Sequence, residues 1–188
     1  MGQPKGLLEL GGSTFAQRAI AALRGGGCDP VLFVVNADDD ALAAHVAGED
    51  VAILTNSAPG EGPITSLRMA LRALEDDVAA VVYLPLDHAL IEDRHVAHLI
   101  GEADKLDAGL ALPAHRGKRG HPAYFSRRLF DELLDPALEG GARTVVHRHL
   151  SRACLVEADA AVVADIDTPA AYRDALARFE TTSAGGTP

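Results

Sequence analysis

The sequence predicts a three-layer α/β fold: a mainly parallel sheet with helices packed on both faces. Three observations carry this. Helix-like and strand-like stretches alternate along most of the 188 residues. The strand-like stretches at 31–35 and 78–84 are unbroken apolar, β-branched runs, as expected of strands covered on both sides. The length suits one ordinary domain, predicted over 1–180, with TTSAGGTP at 181–188 as a disordered tail.

The elements follow in order. Residues 14–24 put Ala, Ile and Leu on one helical face after a Gly11-Gly12-Ser13 break, with Ser13 or Thr14 as the cap, and Gly25 to Gly27 end the helix. A strand at 31–35, a short helix at 39–46 and a strand at 51–54 come next. TNSAPGEGP at 55–63 is rich in turn residues and leads into an amphipathic helix at 64–74. The strand at 78–84, the most hydrophobic in the chain, ends in Pro85-Leu86-Asp87. Residues 93–103 read as helix and 108–112 as strand. HRGKRGHPAYFS at 115–126 reads as a basic turn feeding a short strand. Two helices (129–134 and 142–150), two late strands (154–157 and 162–166) and a helix at 169–179 complete the pattern. Pro169 suits the first turn of that helix, where a missing N–H costs little.

A chain that is 48% hydrophobic and 23% charged is not disordered. With 4% aromatics and no Trp it is not built to stack on bases, and a net charge of −10 repels nucleic acid and anionic membranes. An anionic ligand therefore needs a local cationic cluster. Cys28 and Cys154 form neither a C-x-x-C pair nor a metal spacing, which predicts a reduced, cytoplasmic protein with two buried thiols. No apolar run approaches the ~18 residues of a membrane span. The polar opening MGQPK does not read as a signal peptide.

Ligands of such sheets bind at the carboxyl ends of the strands. Asp87 stands there, placed to hold Mg²⁺ or to cap a turn. Asp165 and Asp167 in VADIDTP stand at another predicted strand end. Thr168 can cap the following helix, which leaves Asp167 free. His115, Arg116, Lys118, Arg119 and His121 are the densest basic patch, either a phosphate site or a solvated hairpin tip. His95 and His98 lack a third ligand at a sensible spacing, and His147 and His149 share a charged helix face. No G-x-S-x-G and no post-strand G-x-G-x-x-G is present.

In this order and spacing the segments resemble the MobA-like nucleotidyltransferases, most closely the molybdenum cofactor cytidylyltransferases. MGQPK is similar to the end of the family's L-A-A-G-x-S-x-R-M-G-x-P-K signature, and GEGPITSLRMAL at 60–71 to its base-reading segment. VVYLPLDHALI at 81–91 resembles its metal-binding strand end, although Asp-His-Ala-Leu stands where Asp-x-Pro-Leu is frequent. RGHPAYFSRRLFDELL at 119–134, GGARTVVHRH at 140–149 and DIDTPAAY at 165–172 complete the match.

The resemblance implies a Rossmann-like nucleotide-diphospho-sugar transferase fold. It implies Mg²⁺-dependent transfer of a nucleoside monophosphate from an NTP, with CTP favoured, to a phosphorylated acceptor such as molybdopterin. It gives Lys5 and Asp87 as catalytic and Lys5, Gly62, Ser66 and Leu67 as nucleotide-binding. Arg119 and His121 would bind the acceptor, and Asp87 and Asp167 the metal, at the ends of neighbouring strands. A molybdenum hydroxylase is an expected partner. A sugar or polyol phosphate as acceptor, or a non-catalytic binding module, are the alternatives. The family's first central strand and glycine-rich loop precede the Met-Gly-x-Pro-Lys element, at whose methionine this chain opens. A gap beside the 31–35 strand is therefore expected, or one closed by another chain in a homo-oligomer.

Overall fold

The computed structural model describes residues 4–184. The chain enters through a tight 3₁₀ turn, Lys5–Leu7, then forms a small antiparallel hairpin of β1 (Glu9–Leu10) and β2 (Ser13–Thr14). Thr14 caps α1 (Phe15–Gly25) through a capping box: Oγ1 accepts from the Gln17 amide, and the Thr14 amide donates to Gln17 Oε1. β3 (Leu32–Asn36) and β4 (Ala52–Asn56) pair in parallel on either side of α2 (Asp40–Val46), which Asp39 caps. α3 (Ile64–Ala73) leads to β5 (Ala80–Tyr83), followed by α4 (Asp93–Lys105). β6 (Leu110–His115) and β7 (Lys118–Arg119) make the basic hairpin, and β8 (Ala123–Ser126) returns beside β6. The helices α5 (Phe130–Leu134) and α6 (Ala142–His149), then β9 (Cys154–Glu157) and α7 (Pro169–Ala184), complete the chain.

The larger sheet has the path β5-β8-β6-β7, with β9 on β6. Its pairings leave β5, β6 and β9 running one way and β7 and β8 the other. Strand alternation sorts the side chains into two layers. Val81, Tyr83, Leu110, Leu112, Ala123 and Phe125 meet α3, α5 and α6 on one face. Ala80, Val82, Ala111, Tyr124, Cys154 and Val156 meet α4 on the other. This is the three-layer arrangement expected. Phe33 and Val35 of β3 pack on α1 and α2, and Ala22, Val82, Ile91, Val96 and Val162 tie α1 to α4 and β5. Both cysteines are free; burial pushes the half-buried Cys28 thiol up to about 11 and leaves it inert. Among the described residues no helix is long and apolar enough to cross a membrane.

Helices rather than ladder hydrogen bonds join the two sheets. Among the described residues β3 pairs only with β4, and β5 only with β8. Between them runs a cavity of about 1200 Å³, lined by β3 and β5 and roofed by side chains of α1, α3 and α4. The gap expected beside 31–35 is thus present.

Three expectations need correction. Residues 162–166 are not a strand. Asp159 Oδ1 accepts from the Ala161 amide and starts a 3₁₀ turn, Ala160–Val163, while the Val162 carbonyl accepts from the His121 amide. Local capping outweighs the β-branched pair. Gly11 and Gly12 form the turn of a hairpin, not a plain break. The tail expected from 181 is helical as far as Ala184; 185–188, like Met1 to Gln3, lie outside the described residues.

Gly120 shows why the R-G-H-P segment needs its glycine. A Cβ there would stand 1.8 Å from the Val162 carbonyl oxygen, which is backbone and cannot rotate away. Gly120→Ala is expected to destabilise the fold by about 2–3 kcal/mol, as overpacking does. Urea denaturation of the two proteins checks this, and an unchanged midpoint would show the 120–122 and 160–163 segments free to separate.

Candidate active site

β5 ends at Tyr83 and is followed by Leu84-Pro85, where Pro85 offers no amide to extend the ladder. Two bonds then fix the turn. The Asp87 carbonyl accepts from the Ile166 amide at 2.8 Å, and Arg18 Nε of α1 donates to the Ala89 carbonyl at 2.6 Å. The first bond draws the 165–167 segment onto Asp87. Asp87 and Asp167 are thus brought to the same lysine, though not from the ends of neighbouring strands, because no strand precedes Asp167. Thr168 Oγ1 accepts from the Ala171 amide and caps α7, so Asp167 is spared that task.

Lys5 completes the group. Its Nζ is ion-paired and hydrogen-bonded to Asp167 Oδ1 and lies 4.0 Å from Asp87 Oδ2. The Lys5 ammonium holds the Asp167 carboxyl below the usual carboxylate range. Asp87 Oδ1 is buried with no partner. Such an oxygen beside a second carboxylate fits a hard divalent cation, which takes oxygen ligands and completes its shell with water and phosphate. Among the described residues no group of three or more His, Cys, Asp or Glu forms a full protein cage. Two carboxylates would be the whole protein share.

Against Asp87 the rings of His88 and His121 pack at 4.4 Å, tilted by 53°, with Tyr83 edge-on to His121 at 6.2 Å. The Nδ1 atoms of both histidines are buried and unpartnered. Burial first, and the neighbouring His88 second, push His121 from 6.5 down to about 4; burial also lowers His88. Burial, then the Asp87 charge, raise the Tyr83 hydroxyl. Asp165 acts on His88 from a distance as a further negative charge.

The His121 shift sets a pH dependence. The unfolded chain binds this proton first as pH falls, so the stability tied to neutral His121 is complete above pH 6.5 and lost between there and about 4. A shift of this size corresponds to roughly 3 kcal/mol. His121→Gln is expected to flatten the loss of stability between pH 7.5 and 4.5 relative to the parent. Urea titrations at both pH values test it, and parallel losses in the two proteins would remove His121 as the cause.

The same cavity that runs between the sheets is lined by Lys5, Asn36, Ser66, Leu67 and Asp87. Asn56, 2% exposed, holds this wall. Its Nδ2 donates to Thr65 Oγ1 and Ser66 Oγ at 2.8 and 3.0 Å, and its Oδ1 accepts from the Ala58 amide. Gly62 enters α3 with φ of +96°, a conformation that favours glycine, and its carbonyl accepts from Thr65 Oγ1. Leu67 is packed into the core at 2% exposure, and its amide donates to the Pro63 carbonyl, so it shapes the wall from within α3. Arg119 is exposed on β7, whereas His121, two residues on, turns inward onto His88. The basic patch is thus divided between hairpin and site. His88 and Asn56 were not singled out in the sequence. The departure Asp-His-Ala-Leu was the one signal for His88.

Residues 1–154 match the MobA-like NTP transferase domain. The chain belongs to that family. Two curated relatives, from Haloferax mediterranei and Methanothermobacter thermautotrophicus, are each named probable molybdenum cofactor guanylyltransferase. The Haloferax protein is 34% identical over 105 residues, 53% of this chain and 47% of its own. The Methanothermobacter protein is 29% identical over 99 residues, 53% of this chain and 49% of its own. The chain thus spans about half the length of the curated relatives it matches. Rv0371c from Mycobacterium tuberculosis shares the fold, with a TM-score of 0.82 and 23% identity over 94% of this chain and 90% of that one. A second crystal structure of Rv0371c is a complex with manganese. In this MobA-like domain the motifs that pointed to the cytidylyl branch therefore stand beside relatives named for guanylyl transfer.

Proposed function

We propose that this MobA-like domain transfers a nucleoside monophosphate from an NTP to a phosphorylated acceptor such as molybdopterin. The observation that carries the reading is the convergence of Lys5, Asp87 and Asp167 at the mouth of a cavity that also reaches Ser66. An oxygen of the acceptor's terminal phosphate attacks the α-phosphorus of the nucleotide. The bond from that phosphorus to the bridging oxygen breaks, and pyrophosphate leaves with the electron pair. Such chemistry relies on positioning and charge neutralisation.

Asp87 and Asp167 would hold a divalent cation, Mg²⁺ in this reading, which supplies positive charge to the reacting phosphates. Lys5 neutralises the leaving pyrophosphate. Gly62, Ser66 and Leu67 would line the base pocket, on a wall that Asn56 fixes. His121, neutral and buried, and Arg119 from the hairpin meet the acceptor. A reducing cytoplasm suits the two free thiols. A sugar or polyol phosphate could serve the same site as acceptor.

The R-G-H-P and Ser66-Leu67 segments favour cytosine, and the names of the relatives favour guanine. Pyrophosphate release with CTP and with GTP, each with molybdopterin and Mg²⁺, tests the reading. CTP is expected to give at least tenfold the kcat/KM of GTP, about 1.4 kcal/mol. The reverse order would assign guanine, and no release with either would leave a binding module.

A further inference from the structure

We propose that the Lys5 ammonium and the divalent cation compete for one position, so that arrival of the ion drives the lysine out toward the nucleotide. The inference rests on the reading that Asp87 and Asp167 hold that ion. Lys5 Nζ engages Asp167 Oδ1 and stands 4.0 Å from Asp87 Oδ2, so it sits between the two carboxyl groups. An ion bridging these carboxylates with bonds of about 2.0–2.1 Å needs the lone pairs the ammonium uses. Two positive charges cannot share that point. The ion has a second attraction that the lysine leaves unmet, the buried and partnerless Asp87 Oδ1.

Only the side chain needs to move. The Lys5 carbonyl accepts from the Leu8 amide, the Pro4 carbonyl accepts from the Leu7 amide, and Gly6 is buried, so the backbone of the entry turn is fixed. The half-exposed Lys5 side chain also lines the cavity mouth, which gives it somewhere to go. The displaced ammonium then meets the phosphates that arrive with or after the ion. Ion and nucleotide would therefore favour each other's binding, reciprocally.

The test is a Mn²⁺ titration without nucleotide, followed by the electron paramagnetic resonance signal of free Mn²⁺. It compares the parent with Lys5→Ala, Lys5→Met and Asp87→Asn, each checked for a cooperative melt. Both lysine variants are expected to bind Mn²⁺ at least tenfold tighter than the parent. They should also lose most of the enhancement of Mn²⁺ affinity that CTP or GTP gives the parent. Unchanged or weaker Mn²⁺ binding in both would overturn the competition while leaving the carboxylate site in place. If Asp87→Asn binds Mn²⁺ as the parent does, or none of the proteins binds it, the carboxylate site itself is wrong and the proposal falls with it.

Discussion

Asp87→Asn is expected to lower the rate of nucleotidyl transfer by about 10²–10³-fold at saturating NTP, the scale for one lost electrostatic contact at a reacting centre. The melting temperature should stay within a few degrees of the parent. The two effects separate because the structural tie at this residue is its backbone: the carbonyl accepts from the Ile166 amide whatever the side chain. Asp87 Oδ1 is buried with no hydrogen-bond partner among the described residues, so its charge is poised for a ligand rather than for the fold. The amide keeps the shape and removes the charge. Asp167→Asn should differ: its amide oxygen can still accept from Lys5 Nζ, but the ion pair that ties the entry turn to the 165–167 segment loses its charge. Pyrophosphate release and thermal melts on the same preparations measure both. An Asp87→Asn protein that keeps more than a tenth of the parent rate would exclude this carboxylate from the reaction.

A strand supplied to the space between β3 and β5 should raise the melting temperature by about 6–12 °C. Both strands turn an unpaired edge to a cavity of about 1200 Å³ walled by apolar side chains of α1, α3 and α4. An extended segment of six or seven apolar residues between two edges makes about ten ladder bonds, each roughly 0.5–1.5 kcal/mol net. Ordering that segment consumes much of this. A surplus of about 3 kcal/mol moves the midpoint of a domain this size by roughly 6–12 °C. Fusing such a segment ahead of residue 1, or adding it as a peptide, tests the expectation against the same segment carrying a central proline, which cannot complete the ladder. Equal melting of the two versions would mean that the edges of β3 and β5 are already satisfied in solution.

Much of this fold is written locally. The β-branched runs at 31–35 and 78–84 became β3 and β5, and Thr14 caps α1, because backbone propensity and capping act within a few residues. Asp87 was legible for the same reason, as a carboxylate following an apolar strand. What escaped was set by distant contacts. The 162–166 run gave up a strand to a cap from Asp159 and to the His121 amide, forty-one residues earlier in the chain. Asp87 and Asp167 meet through one backbone bond that no local pattern announces. His88 gains its role only by stacking on His121, and Asn56 only because Thr65 and Ser66 come back over it. The resemblance anticipated the convergence at Asp87, since a family's motifs carry tertiary information that one sequence lacks.

The ion pair between Lys5 and Asp167 joins positions 162 apart, and this bears on when the site comes into being. Both apolar layers of the larger sheet draw on residues no later than Val156. A chain emerging from the ribosome folds progressively from its amino end, so most of the core can assemble while Asp167 is still being delivered. Until then Lys5 and Asp87 stand without their third member. The same late segment brings Val162 to α1 and α4, and Ile166 and Ala175 to Leu8, Leu10 and Phe15, so the stretch that arms the site also closes the last of the core.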